Sequence, residues 1–385
     1  MNEQTRLLAH LFLGERLASA ERALAVARQC DPRRHALPIL TARELFASAS
    51  CFEGDARRGL DEFRAIVEDL EAALGPTHSR VAAAHNMRAG AQYQCGDSEG
   101  ALLSLQRCMA IEEAEHGPDT QQMRQGRAGM GGVLVNEGRH DEGLALLKRA
   151  YDEFATHEVP RHPMTRVALS RLIAGLLKAG CLGEAEQRLQ ELEGLGLDGQ
   201  AQRDEWNEWQ AQLLRSRGRV DEALALLEPM QQRRLASPML HTRGTASAVL
   251  GALRVDAGRH ADALEPLQRA LEIFGGRHPF GSAALSRVQV DLGRVLLAQG
   301  DAASAVVQMR QALAYWDAHG PDRPLAAETA GWLALALHAA GEPGEAREAA
   351  LRGFSGLRRS EVHRVASLRQ SLLDAGLAPT GADLR

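Results

Sequence analysis

A short pattern of small and large apolar positions recurs along the chain, always at the same distances after a glycine. After Gly258, a small residue stands five positions later (Ala263), a large apolar residue nine positions later (Leu267) and a small residue twelve positions later (Ala270). Spacings of four and three residues place these side chains on one stripe of a helix. The pattern therefore predicts an amphipathic helix after each such glycine.

The pattern is repeated at nearly constant distance along most of the chain. It follows eight glycines that stand 38 to 42 residues apart: Gly54, Gly96, Gly138, Gly180, Gly218, Gly258, Gly300 and Gly341. A small residue also stands seven positions before most of these glycines. It predicts a helix before the glycine that packs closely against the helix after it. The glycine is expected to adopt the left-handed conformation that ends a helix and turns the chain. A fixed period of this length predicts an array of stacked helix pairs.

The repeats divide the chain into three predicted segments. Residues 1–35 form a degenerate N-terminal helical unit, residues 36–376 carry the regular helix pairs, and residues 377–385 form a C-terminal tail. The helix predicted over Glu361–Ala375 is polar on more faces than the others, so we expect it to cap the array. Between Gly180 and Gly218 the period falls to 38 residues, which fits either a bend in the array or a shorter loop without consequence.

The small–Gly–small–large–small pattern resembles the tetratricopeptide repeat (TPR), whose usual period is 34 residues. The longer period here, with Gly/His-Pro loops such as Gly75–His78 and Arg161–Pro163, is similar to the kinesin-light-chain-like class. That class also occurs in bacterial arrays fused to Ser/Thr kinases or signalling ATPases. The resemblance implies an all-α, right-handed α-solenoid of about eight helix pairs with a C-terminal capping helix. The asparagine pair of the family is reduced here to Asn86, and Leu replaces most of its Tyr column.

Composition and net charge limit the classes of partner that the sequence indicates. Hydrophobic residues make up 45% and charged residues 25% of the 385 residues, which is ordinary for a folded chain. The net charge of −5 indicates neither a nucleic-acid nor a membrane partner. The first helix is interrupted by charged residues, so we expect no leader peptide. The five cysteines form no CxxC pair, which favours a reducing compartment and a cytoplasmic location.

No catalytic, cofactor or metal motif stands out, so we predict a protein that is not an enzyme and needs no cofactor or metal. The glycine-rich run Gly126–Gly132 is not a phosphate-binding loop, since it falls inside a predicted helix with no strand before it. Helix packing is its favoured role. The loop histidines His78, His162 and His278 are expected to cap helices rather than to bind metal.

The resemblance implies that the first helix of each pair lines a concave groove, with side chains about 13, 10, 6, 3 and 2 positions before the turn glycine. These positions are polar and of mixed charge. A solvated surface is the alternative role for each of them. The candidate peptide-binding residues are Asn86, Tyr93, Asn136, Lys178, Arg215, Arg287 and Arg294. Arg287 and Arg294 lie two helical turns apart and are expected to hold an acidic segment together.

These features predict a scaffold that binds a peptide or a partner-protein segment in the groove. The alternative is a regulatory or sensor module that acts with a separate Ser/Thr kinase, signalling ATPase or transcription regulator. Trp209 and Trp332 both stand nine positions before their glycines, where packing is favoured over ligand binding. Formation of a homodimer stays open.

Overall fold

The computed structural model describes residues 16–27, 29, 32–52, 56–157, 162–236, 240–277, 283–319, 324–357 and 363–379. Every regular element in these ranges is an α-helix. Eighteen helices are described there: α1 (Arg16–Ala27), α2 (Pro32–Phe52), α3 (Ala56–Leu74), α4 (Ser79–Gln94), α5 (Ser98–His116), α6 (Gln121–Asn136), α7 (His140–His157), α8 (Pro163–Ala179), α9 (Leu182–Gly194), α10 (Gln200–Ser216), α11 (Val220–Leu235), α12 (Leu240–Asp256), α13 (His260–Arg277), α14 (Ala283–Ala298), α15 (Ala302–His319), α16 (Pro324–Ala339), α17 (Pro343–Gly356) and α18 (His363–Asp374).

The helices form two compact units, with the division between Val133 and Leu134 inside α6. In each unit the most extensive contacts are between helices that are neighbours in sequence, and smaller contacts join alternate helices. Even-numbered helices from α2 to α16 are the first helices of the pairs, and odd-numbered helices from α3 to α17 are the second. The fold class is thus the predicted all-α solenoid.

The turn glycines have the predicted left-handed conformation. In the seven copies from Gly96 to Gly341, φ of the glycine lies between 70° and 87°. At Gly180 the turn is closed because the glycine N–H donates to Leu177 and the next N–H, of Cys181, donates to Leu176. Gly54, the first of the predicted turn glycines, lies outside the described residues.

The small residue seven positions before the glycine packs against the large residue nine positions after it. A Cβ added at Gly251 would lie 2.5 Å from Cγ of Leu267, and one added at Gly293 would lie 2.8 Å from Cε of Met309. Leu267 and Met309 are fully buried. The predicted seam between the two helices of a pair is confirmed at these positions.

Helix α18 completes the second unit. Its Leu368 and Leu372 are fully buried, and both approach Gly331 of α16. The other positions of α18 are mostly polar, as expected of a capping helix. Of the predicted segments, residues 1–15 and 380–385 lie outside the described residues. The predicted boundary at residue 35 falls inside α2.

Candidate functional site

Two of the candidate binding residues lie in the first unit, on α4. Asn86 and Tyr93 stand two helical turns apart, and both are half-buried. Tyr93 packs against a core cluster that includes Ala89, Leu105 and Val133. Packing therefore accounts for much of the Tyr93 surface, while Asn86 keeps a polar side chain at the surface of α4.

The other five candidates lie in the second unit, where first helices from distant pairs meet. Gly218, just after α10, is so close to His363 at the start of α18 that an added Cβ would lie 2.9 Å from Cδ2 of the imidazole. Gly138 similarly approaches Pro324 at the start of α16, with an added Cβ 3.5 Å from its Cγ. We use the name inner face for the side of the first helices on which Gly218 approaches His363 and Gly138 approaches Pro324.

A cluster of charged side chains joins five helices on the inner face. The Nε of Arg215 donates to Asp256. Nη1 of Arg294 lies 2.8 Å from Oδ1 of Asp256, an ion contact without hydrogen-bond geometry, and 2.9 Å from Oδ1 of Asp291. Farther along, Nη2 of Arg364 donates to Glu328 at 2.7 Å. This inner charge cluster comprises Arg215, Asp256, Asp291, Arg294, Glu328 and Arg364.

The two aspartates of the cluster respond differently to their surroundings. Burial alone would raise the pKa of Asp256, but the charges of Arg215, Arg294 and Arg364 outweigh it and lower that pKa to about 2. Burial raises the pKa of Asp291, and the negative charge of Asp256 adds to the increase. Asp256 is therefore the ionised carboxylate that balances the charges of Arg215 and Arg294.

Arg294 also stacks on Trp332. The Arg294 guanidinium carbon lies 4.6 Å from the centroid of the Trp332 ring, and Trp332 packs against the core of the C-terminal helices. The predicted packing role of Trp332 is confirmed. Arg215 and Arg294, two of the candidate binding residues, are thus engaged by carboxylates of their own chain.

Lys178 lies in a different environment on the same inner face. Its Nζ donates to Oδ1 of Asn136, its counterpart in the neighbouring pair, 42 residues earlier. The Lys178 side chain is exposed, yet burial by surrounding protein and the charge of Arg287 lower its pKa to about 8. A side chain that is open to solvent and still loses this much hydration lies in a recess.

Arg171 extends this recess along α8. It stands seven residues, or two turns, before Lys178, so both side chains project from the same face of the helix. Arg171 is exposed, and burial by surrounding protein lowers its pKa. We call Arg171, Lys178 and Arg287 the basic recess. Arg171 was not among the site residues predicted from the sequence, although its seven-residue spacing from Lys178 would have identified it.

The short loop before α10 is held by arginines. Arg166 of α8 donates to Glu205 of α10 at 2.8 Å and to the carbonyl of Gly196 at 3.0 Å. Arg203 donates to the carbonyl of Leu197. Ser170, one turn after Arg166, donates to the same Glu205. These bonds fix the loop where the repeat period is shortest.

The histidines and the glycine-rich run have the structural roles that the sequence predicts. Nδ1 of His78 accepts from the backbone N–H of Arg80 at 3.0 Å, and Nδ1 of His162 accepts from that of Met164 at 3.2 Å. Both are helix caps, and His278 lies outside the described residues. The run Gly126–Gly132 lies within α6.

No group of three His, Cys, Asp or Glu side chains in the described ranges is placed to hold a metal ion. No helix in those ranges has both the length and the apolar character needed to cross a membrane.

Residues 284–359, from α14 to just beyond α17, match the model of the tetratricopeptide repeat family. The matched helix pairs have the same left-handed turn glycine as the earlier ones. The segment from α14 to α17 therefore consists of tetratricopeptide repeats, which form arrays that present extended surfaces. No curated protein matches the chain.

The solved structures similar to the chain include two arrays of repeats. One is a putative kinesin light chain with nearly identical TPR-like repeats from Podosopora anserina, with 17% identity and a TM-score of 0.38, covering 51% of this chain and 97% of that one. The other is a Rap protein complexed with Competence and Sporulation Factor, with 12% identity and a TM-score of 0.45, covering 97% of this chain and 89% of that one.

Proposed function

We propose that the second unit binds a segment of a partner protein on the inner face of its first helices, without catalysis, and that the chain acts in the cytoplasm. The basic recess supports this proposal. Lys178 and Arg171 remain open to solvent in surroundings that penalise their charge, so a ligand that neutralises them would relieve the penalty.

The inner charge cluster supports the same location in a different way. Its arginines are matched by carboxylates, so it fixes the spacing of the first helices around the recess. Binding to a surface that is already positioned loses less conformational entropy than binding to a mobile one. The inner charge cluster then holds the helices in position, and the basic recess contacts the ligand. Asn136, which accepts from Lys178, orients the lysine toward the ligand.

The proposal is tested by affinity purification followed by direct binding measurements on the partner that is recovered. We expect the charge reversals Lys178→Glu and Arg171→Glu to abolish binding of that partner. Arg149→Glu is the matched control, since Arg149 is an exposed arginine of the same unit on a second helix, where it pairs with Glu153 four residues later. Cross-linking of the purified complex should place the partner segment beside α8.

Retention of the partner by Lys178→Glu and Arg171→Glu at wild-type affinity would refute the proposed site. The identity of the partner shows whether the chain acts as a scaffold or as a regulator. A kinase, an ATPase or a transcription regulator whose activity changes on binding would show the regulatory form of the same function.

A further inference from the structure

A cavity of about 290 Å³ lies between three successive helices of the second unit. It is lined by Leu235 at the end of α11, by Arg243 in the first turn of α12, and by Arg269 and Ile273 of α13. Arg243 stands 13 residues before Asp256, which belongs to the inner charge cluster and ends the same helix. Since 13 residues of helix span about 20 Å, the cavity is separate from that cluster.

The apolar wall of the cavity is held by close packing between α12 and α13. A Cβ added at Gly244, next to Arg243, would lie 2.8 Å from Cγ2 of Ile273 and 3.0 Å from Cε1 of Phe274. Phe274 is buried, and Ile273 packs against the same core cluster. Leu235 packs against the core cluster of the preceding pair. The aliphatic side chains are therefore in place before a ligand arrives, which reduces the conformational entropy lost on binding.

The two arginines supply hydrogen-bond donors that the chain does not fully use. Nε of Arg243 is buried and has no hydrogen-bond partner among the described residues. Nη2 of Arg269 donates to Glu265, and this bond engages one of the five N–H donors of an arginine. A buried donor without an acceptor is unfavourable, because it has lost its hydrogen bonds to water without a replacement. An acceptor that enters the cavity would remove this penalty at Arg243.

We propose that this cavity binds a carboxylate that carries a short aliphatic chain. The guanidinium fork donates to both oxygens of one carboxylate, so Arg243 holds the charged end while Leu235 and Ile273 contact the chain. Arg269, whose side chain is exposed, adds a second cation on the side open to solvent. A volume of about 290 Å³ is near the lower limit of roughly 300 Å³ for ligand pockets, which favours a small ligand.

Two sources share this chemistry, namely a free aliphatic acid and the C-terminus of a peptide that ends in an aliphatic residue. Ligand-observed NMR titration of the full chain separates them. The probes are hexanoate, hexanamide, acetate, and a neutral peptide that ends in leucine with a free or an amidated C-terminus. We expect hexanoate to bind at least tenfold more tightly than hexanamide or acetate. Tighter binding of the free-acid peptide than of hexanoate would identify the peptide C-terminus as the source, and weaker binding would identify the free acid.

Variants of the lining residues locate the bound acid. Arg243→Gln should weaken hexanoate binding at least tenfold, and Arg269→Gln should weaken it by a smaller factor. Arg259→Gln is the matched control, since Arg259 is an exposed arginine at the opposite end of α13, where it donates to Asp221 at 2.6 Å. Circular dichroism confirms that each variant is folded, and the exposed position of Arg269 makes its substitution the safer of the two.

Equal affinity for hexanoate and hexanamide would overturn the role of the carboxylate, and equal affinity for hexanoate and acetate would overturn that of the aliphatic wall. Hexanoate binding that is unchanged in Arg243→Gln and Arg269→Gln would overturn the site, and so would the absence of binding by every acid. The inference is independent of the proposed function. Lys178→Glu, which is expected to abolish partner binding, should leave hexanoate binding unchanged.

Discussion

Arg215 and Asp256 stand 41 residues apart, at nearly equivalent positions of neighbouring helix pairs, and the Nε of Arg215 donates to the Asp256 carboxylate. The same carboxylate contacts Arg294 of the next first helix, so that one acidic side chain joins α10, α12 and α14. The Asp256 side chain is only 7% exposed. Such a contact depends on its charge, because removing one partner of a buried ion pair leaves the other without compensation.

We predict that Asp256→Asn lowers the free energy of unfolding of the second unit by about 3–5 kcal/mol, the range for breaking a buried pair. Urea titration followed by tryptophan fluorescence measures this unit selectively, since all four tryptophans lie after residue 200. The same lowered pKa predicts that the stability contributed by Asp256 is present above pH 4 and is lost as pH falls toward about 2.

Asp291→Asn is the matched control for this prediction. Asp291 lies in the same cluster and contacts Arg294, but its surroundings raise its pKa, so its ionised form is disfavoured there. We expect a smaller loss of stability than for Asp256→Asn. Equal losses from the two variants would contradict the central role of Asp256.

The seam between helices gives a second prediction, at Gly251. In Gly251→Ala the new methyl group would approach the side chain of Leu267, which is fully buried and has no free space to enter. We expect a loss of about 1–3 kcal/mol in unfolding free energy, the usual penalty of overpacking. The measurement is the same fluorescence-detected urea titration.

Gly275→Ala, in α13, is the control for the seam. It has no neighbour within 4 Å of an added Cβ, so the substitution only removes backbone freedom from the unfolded chain. We expect a gain of about 0.5–1 kcal/mol there, as for Gly to Ala in an ordinary helix. Opposite signs of the two changes in unfolding free energy would show that packing, and not helix propensity, determines the effect at Gly251. A gain in unfolding free energy for Gly251→Ala would contradict close packing between the two helices.

The sequence was sufficient to predict the helix pairs because their determinants are local. Gly258, Ala263 and Leu267 lie within nine residues of one another, and the same spacing recurs eight times. The contact between Arg215 and Asp256 was within reach too, since it joins residues about one period apart. The contact of Gly218 with His363 was not, because it depends on how successive pairs rotate, and small rotations add up over 145 positions.

For the candidate site, the sequence identified the inner-face positions but not their pairing. Arg287 and Arg294 were expected to act together because they share one helix face. Arg294 instead meets Asp256, whose helix α12 precedes its own, while Arg287 acts on Lys178 of α8. The packing of different helices determines which cation contacts a carboxylate. The periodicity of a single helix carries no information about this pairing.

The contact between α10 and α18 gives a third prediction, through the turn glycines. Gly218 and Gly300 have left-handed φ values of 78° and 84°, so alanine at either position is strained by about 1–2 kcal/mol. At Gly218 the new methyl group would also meet the His363 ring, whereas at Gly300 it would meet nothing within 4 Å. We expect Gly218→Ala to be the more destabilising variant in urea titration.

The double variant Gly218→Ala with His363→Ala isolates that contact. Removal of the imidazole should make the loss caused by Gly218→Ala equal to that caused by Gly300→Ala, since only the backbone strain then remains. Unequal losses in the absence of the imidazole would show that His363 is not the obstructing group.

The lowered pKa of Lys178 gives the last prediction. The chain has only two lysines, Lys148 and Lys178, so reductive methylation with ¹³C-formaldehyde gives two lysine NMR signals, and Lys178→Met assigns them. We expect Lys178 to titrate near pH 8, well below a free lysine, because the surrounding protein and the charge of Arg287 disfavour the ammonium form.

The sign of the effect on stability follows from the same shift. The folded chain binds the Lys178 proton more weakly than the unfolded chain, whose lysine has a pKa of about 10.4. Stability therefore rises as pH increases from about 8 to about 10, and this increase should disappear in Lys178→Met. A Lys178 pKa equal to that of a free lysine would show that the side chain is fully hydrated, and a higher pKa would show a carboxylate beside it. Either result would leave the basic recess with no unrelieved charge for a ligand to neutralise.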